Sequence, residues 1–290
     1  GRDLACKART EPGPLPCHPA AMIQIPVYSL RAKLKAAVVL TGIALALAGV
    51  LDVSGFLGAY SLKTADLMFQ RLPLAPASVD VAIIAIEQGD LDFFQEQGLG
   101  WPWPRELYAP IINFCRRGDA RALIFDMLFT EGSNFGPADD QTLALAAREA
   151  GQVIFPFFLS QTPKEAGSGS AELLEKTALT ISGAPPAFPR QYHSLLPPIP
   201  PLAAAARDLG NVESTPDMDG TFRRLPVVAP FQDKWLPMLA FAAFLLSRPA
   251  QPWEFQEGEL VQGACRIPLD SRGNVLLKYR GPSRSHTRYG

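Results

Sequence analysis

Sixteen consecutive residues, 36–51 (AAVVLTGIALALAGVL), carry no charge and follow Arg31, Lys33 and Lys35. A core helix of a soluble domain needs a polar face, and here only Thr41 interrupts the apolar surface, so the run reads as a membrane helix. At about 1.5 Å per residue it covers about 24 Å of a hydrocarbon layer roughly 30 Å thick. The span must therefore draw in residues 53–57 or let the flanking lysines snorkel, with Asp52 at the outer interface. Residues 1–35 hold six basic and two acidic side chains, a local +4 that leaves −5 on the other 255 within a formal net charge of −1. The positive-inside bias then places residues 1–33 in the cytoplasm, a span over 34–57 in the inner (plasma) membrane, and residues 58–290 in the periplasm or outside the cell. A cleavable signal peptide fits the same stretch, since residues 44–46 and 46–48 (ALA) match a small-x-small cleavage pattern behind a basic start. Both readings export the bulk of the chain and differ only in its tether. Residues 1–21, with Pro12, Pro14, Pro16 and Pro19, lack periodicity and read as disordered, and Met22 is an alternative start that would leave Cys6 and Cys17 out of the folded protein.

Of 290 residues, 27 are basic and 28 acidic, which provides no global field for nucleic acid, and no nucleic-acid partner is expected. Hydrophobic residues make up 48% and charged residues 19%, below the about 25% of soluble chains, so disorder is excluded for most of the chain. Four cysteines without CxxC spacing form neither a disulfide scaffold nor a zinc site.

Beyond the span, residues 61–72 set Leu62, Ala65, Phe69 and Leu72 at helical spacing, predicting that the membrane helix continues into an amphipathic stalk. Residues 79–86 (VDVAIIAI) form a β-branched run with the signature of a central strand covered on both faces. After the Trp101-Pro-Trp-Pro104 break, Leu107, Ile111 and Phe114/Cys115 mark a helix ending at Gly118, with Pro110 a kink or a late start. Residues 122–129 (ALIFDMLF) and 153–159 (VIFPFFL) are further buried runs, separated by a helix over 139–150 stopped by Gly151. The β-α-β-α-β order predicts an α/β fold, a mostly parallel or mixed sheet with helices on both faces. Residues 161–170 and the proline-laden 183–201 read as a surface excursion. A second half follows: a helix over 203–209, strands over 210–213 and 224–230, a helix over 237–246, and strands near Ile267 and over 275–279.

Three constellations could carry chemistry. Glu87, Asp126 and Glu131 lie at strand ends, where parallel sheets place ligand sites, and carboxylates there could hold Mg²⁺ or Ca²⁺ or act as acid and base. The competing reading makes Asp126 an acceptor for loop amides, Asp139 a helix N-cap and Asp140 a partner of the helix dipole. Trp101, Trp103 and Arg105 could build a stacking pocket, or simply pack a loop over the sheet. Asp217-Met-Asp219-Gly220 with Arg223 and Arg224 lacks the remaining ligands of a calcium loop, and reads as a turn with Gly220 at positive φ and a local Asp–Arg pair. P-loop, dinucleotide, zinc-protease and nucleophile-elbow signatures are absent, and His18, His193 and His286 sit in no triad motif. No catalytic residue, metal or cofactor is assigned. Cys115 reads as an inert core thiol, with a disulfide to Cys265 as the alternative.

Asp66 and Arg71 after the apolar run, residues 81–87 (VAIIAIE), 100–105 (GWPWPR), 124–131 (IFDMLFTE), 140–144 (DQTLA), 209–211 (LGN), 217–223 (DMDGTFR) and 279–282 (YRGP) together resemble the type-two CHASE domain, the cyclases/histidine kinases associated sensory extracellular module. The resemblance spans residues 60–285 in family order. It implies a bacterial input domain between an N-terminal span and further C-terminal spans, with adenylate or guanylate cyclase, diguanylate cyclase, histidine kinase or serine/threonine kinase output. Where the family continues its first strand into two aspartates, this chain has Glu87-Gln88, and Pro110 is unusual for the helix it occupies. The resemblance carries over no ligand.

The expectation is an extracytoplasmic sensor, homodimeric through its span, that answers an unidentified small-molecule or protein stimulus; its ligand-binding candidates are Glu87, Trp101, Trp103, Arg105, Asp126, Glu131, Asp219 and Arg223. The rivals are an exported metal-dependent hydrolase using Asp126, Glu131 and Asp140, and a purely structural envelope module.

Overall fold

A computed structural model describes residues 29–54, 56–71, 76, 80–163, 170–281 and 285–289, so the expectations attached to residues 1–28, Gly55, Leu72, Val79, residues 164–169 and Pro282 lie outside the described residues. The chain divides into two units, residues 1–63 and 64–290.

In the first unit α1 (Leu30–Val53) runs for 24 residues, about 36 Å at the helical rise, enough to cross a hydrocarbon core. Ser29 caps it by accepting from the Ala32 amide at 3.4 Å. Its best window has a mean hydropathy of 2.2 and none of that window is buried, which fits a membrane anchor rather than a helix of a soluble core. The sixteen-residue run is thus the middle of a longer helix that includes Arg31, Lys33 and Lys35. The continuous helix expected from span to stalk is instead two elements: α1 ends at a turn at Ser54, whose hydroxyl donates to the Leu51 carbonyl at 2.9 Å, and α2 (Phe56–Arg71) follows.

The larger unit takes up the chain at Thr64, within α2, where Ala65, Asp66 and Phe69 are half-buried at helical spacing. The next strand, β1 (Ala82–Ile84), corrects an expectation. It is not a doubly covered central strand; Ile83 and Ile84 are 43% and 46% exposed, and its partner is the parallel segment Thr287–Tyr289. Branching at Cβ favours extended backbone whether or not both faces are covered, so the run predicted a strand but not its depth. The helix α3 (Gln88–Glu96) and a 3₁₀ turn at Arg105–Leu107 lead into α4 (Tyr108–Arg117), which stops at Gly118 as expected. Pro110 lies in the first turn of α4, where an amide would lack a helical acceptor anyway; it marks a late start and causes no kink.

The principal sheet is built on β3 (Val153–Ser160), in which all eight residues but Phe158 are buried. The short β2 (Leu123–Ile124) pairs with its first half in parallel, and α5 (Pro137–Ala150) connects the two. Gly151 closes α5 in the left-handed conformation at φ 66°, the expected stop. The cap at the other end is Gly136, not Asp139, which sits inside the first turn with Asp140. Next come α6 (Ser170–Thr177), β4 (Ile181–Gly183) and β5 (Ser194–Leu196), the last antiparallel to the end of β3. The proline-rich excursion is therefore not all surface: Tyr192, Ser194 and Leu195 are buried. The short α7 (Pro200–Ala205) leads into β6 (Asp208–Asn211), which runs parallel to β3, so the sheet is mixed. Phe125 stacks on Phe155 at 5.1 Å between ring centroids, and Tyr108, Phe129, Leu143, Ala147, Phe157 and Leu202 complete this core. Each of the leucines and phenylalanines among them contributes about 2 kcal/mol through burial.

The remaining elements are β7 (Arg224–Pro226), the hairpin β8 (Val228–Phe231) and β9 (Lys234–Pro237), α8 (Leu239–Leu245), β10 (Trp253–Gln256), β11 (Glu259–Gln262), β12 (Cys265–Pro268), β13 (Asn274–Leu276) and β14 (Thr287–Tyr289). They form a second sheet in the order β12-β11-β10-β4 and an antiparallel pair of β13 with β7. Their core gathers Val228, Met238, Phe241, Trp253, Phe255 and Leu260. Of the segments expected for this second half, the helix over 203–209 is α7, with residues 208–209 already in β6, and the single strand over 224–230 is the two strands β7 and β8; the architecture is the mixed α/β class the sequence predicts. Cys115 and Cys265 are unpaired, and burial pushes the Cys115 thiol above its ordinary pKa.

Candidate functional site

The densest polar cluster is organised by one guanidinium. Residues 217–221 turn tightly: the Gly220 amide donates to the Asp217 carbonyl and the Asp217 amide to the Thr221 carbonyl, both at 2.9 Å, with Gly220 at φ 80°. Arg223, with its side chain 7% exposed, donates to both carboxylate oxygens of Asp66 at 2.7 and 2.5 Å. It donates as a second fork to both oxygens of Asp219 at 2.8 Å, and to Asp217 at 3.2 Å. The planar fork of arginine suits such two-oxygen pairing, and here its N–H groups are fully used. The Arg223 hydrogen bonds hold the Asp66 and Asp219 carboxyls below the usual carboxylate range, and the Asp66 bond foremost raises Arg223. Within the larger unit, then, a helix residue is clamped to a turn 157 positions later.

A second buried arginine holds the loop after the Trp-Pro-Trp-Pro segment. Arg105 donates to Asp140 at 2.5 Å and to the Glu131 carbonyl, and lies over the Phe129 ring with its guanidinium carbon 5.1 Å from the centroid. Asp139 accepts from the Arg105 and Glu106 amides at 2.8 and 2.7 Å and from the Ser133 hydroxyl. Burial opposes the Asp139 charge, but these donors outweigh it and leave the pKa lowered. Arg105 is thus spent internally. Trp103 is buried against Phe94 at 4.4 Å, while Trp101, 52% exposed, meets it edge-on at 5.3 Å. The indoles and the guanidinium pack a loop; they do not frame a common stacking pocket.

A cleft of about 660 Å³ opens beside the clamp. Phe188, Tyr192 and the prolines 189, 216, 226 and 230 form its apolar walls, while Arg190, Arg224, Arg272, Asp217 and Asp270 supply its polar lining. Under its wall Glu213 accepts from the Tyr192 hydroxyl at 2.7 Å and from Arg190 at 3.3 Å, and burial together with that carboxylate raises the Tyr192 pKa. Arg224 reaches Asp217 at 3.4 Å and Asp270 at 3.7 Å. Asp217 therefore belongs both to the clamp and to the cleft.

Among the residues predicted from sequence, Asp219 and Arg223 come together in the clamp. Glu87 does not join them; its amide donates to Asp90 at the start of α3, and its carboxylate pairs with Arg288 at 2.7 Å. Asp126 and Glu131 are exposed, Asp140 is committed to Arg105, and no group of three His, Cys, Asp or Glu side chains among the described residues could hold a metal. The acidic crevice predicted at the strand ends, and with it the ligand set of a metal-dependent hydrolase, is not assembled among these residues, because β1 pairs with β14 and not with the sheet whose β2 precedes Asp126. Sequence reasoning did not place Asp66 opposite Arg223, nor find the cleft residues Arg190, Tyr192, Asp270 and Arg272. The sequence reading of a turn with a local Asp–Arg pair located Asp217 and Arg224 but not the residues they face.

Searches of curated proteins and of solved structures return no match. The model of the CHASE2 domain matches residues 38–289, from within α1 to the end of β14, so the clamp, the cleft and the Arg105 loop all fall inside it. The chain belongs to the CHASE2 family of extracellular sensory domains.

Proposed function

We propose that the chain is the extracytoplasmic input domain of a membrane-bound signalling receptor, dimeric through its span, feeding a nucleotide cyclase or histidine kinase. The observation that carries this reading is the Asp66–Arg223–Asp219 clamp. It fastens α2, which precedes the sensory fold in the chain, to the turn that borders the cleft, so a change at the turn alters what holds the helix. Coupling needs an element with two arrangements, and a pair of ionic forks that either close or open supplies one. The net charge of +4 on residues 1–35 and the 24-residue apolar helix favour a cytoplasmic start and an exported body.

Two experiments test the reading. Alkaline phosphatase fused after residue 160 is expected to be active in a bacterial host; an inactive fusion overturns export. Asp66→Arg in the receptor is expected to alter cyclase or kinase output, and Asp66→Arg with Arg223→Asp to move it back towards the parent. Output indifferent to both changes removes the clamp from the signalling route.

A further inference from the structure

We propose that the cleft between residues 188–192 and 270–274 binds a small anion carrying an apolar body, an organic carboxylate or phosphate. The argument is one of donor and acceptor supply. Two of the three carboxylates around the cleft are already served by near contacts, Glu213 by the Tyr192 hydroxyl at 2.7 Å and Asp270 by the Arg272 and Asn274 amides at 2.8 and 2.9 Å, while Asp217 is shared between Arg223 at 3.2 Å and Arg224 at 3.4 Å. The guanidiniums are not. A guanidinium has five N–H donors, and charge-assisted bonds to carboxylate run to about 2.7–2.9 Å. Arg224 makes only long contacts, at 3.4 and 3.7 Å, and Arg190 meets Glu213 at 3.3 Å beside the Tyr192 hydroxyl. The Arg272 guanidinium has no partner among the described residues. Unused hydrogen-bonding capacity in the cleft is therefore cationic, while Phe188 and the prolines offer an apolar wall for a ring or short chain.

The assignment deepens the proposed sensory role and rests on it only for its consequence. An anion that draws Arg224 away from Asp217 leaves Asp217 to Arg223 alone, and so reaches the Asp66 clamp through one shared carboxylate.

The test uses the full chain in detergent, with benzoate and phenyl phosphate as probes and inorganic phosphate as the bare-anion control. Phe188 packs against Trp235 at 5.0 Å between centroids, so tryptophan emission reports occupancy alongside the thermal midpoint. Benzoate, phenyl phosphate or both are expected to raise the midpoint and shift emission, the preferred probe distinguishing a carboxylate from a phosphate ligand. Arg272→Ala, at an exposed position without a side-chain partner, is expected to keep the fold and weaken binding about tenfold. No response to either aromatic anion overturns the assignment, as does an equal response to inorganic phosphate or a response unaltered in both Arg272→Ala and Arg190→Ala. Binding without any change in receptor output leaves the anion site standing and overturns the signalling reading instead.

Discussion

Arg105 and Arg223 show how one residue type does two jobs. Arg105 lies within a single neighbourhood, tying the loop at residues 131–133 to the first turn of α5, and both its side chain and that of Asp140 are about one-tenth exposed, at 11% and 10%. Truncating one partner of such a pair strands the other charge, so Arg105→Ala is expected to cost about 3 kcal/mol of unfolding free energy in urea titration. A value below about 1 kcal/mol would mean that solvent already serves Asp140. Arg223 instead joins distant segments, and it holds the Asp66 and Asp219 carboxyls below their ordinary range. Carboxyls whose native pKa lies below the unfolded value contribute stability that is complete above about pH 4 and is lost as pH falls through the native value. Wild-type stability is therefore expected to decline below about pH 4, with a shallower decline in Asp66→Asn; parallel curves for the two proteins would remove Asp66 from this linkage. The turn containing Asp219 was legible because Asp-Gly followed by arginine is local chemistry, whereas the pairing with Asp66 depends on how α2 meets a segment 157 residues away.

At the level of elements, periodicity located segments better than it located their surroundings. Helix α5 was readable to within two residues because its apolar spacing and its glycine stop are both encoded locally, and β3 because its seven-residue apolar run is short for a helix and directly follows the Gly151 stop. The depth of β1 and the partner of β5 were not readable, since strand pairing is decided by tertiary contacts. Two glycines separate local from tertiary causes in a testable way. Gly151 needs its positive φ and has open space around a would-be Cβ, so Gly151→Ala is expected to cost about 1 kcal/mol, the conformational term alone. At Gly210 a Cβ would lie 2.3 Å from the Leu239 Cα, where β6 meets α8, so alanine forces two backbones apart. Gly210→Ala is expected to be the more damaging by urea midpoint; the reverse order would show that α8 withdraws from β6 at little cost.

Across the sensory fold, its earliest and latest described strands lie side by side. β1 and β14 run parallel in the register Ala82–Thr287 to Ile84–Tyr289, the Ala85 amide donates to the Tyr289 carbonyl at 2.7 Å, and Arg288 pairs with Glu87 immediately beyond β1. A displacement of the strand entering the fold can thus be passed to the strand near residue 289 without crossing the core. The Glu87–Arg288 pair is 41% and 36% exposed, and exposed pairs are worth only about 0.2–1 kcal/mol, so the fold does not depend on it. That separates the pair's two possible contributions. Arg288→Glu is expected to leave the thermal midpoint within the small range set by an exposed ion pair, yet to shift the output of a receptor carrying this domain, because like charges now face each other where the strands are joined. Adding Glu87→Arg restores the attraction with the charges exchanged and is expected to return output towards the parent level. If Arg288→Glu leaves output untouched while the midpoint also holds, the two strands are joined without communicating, and the Glu87–Arg288 pair is removed from any signalling route.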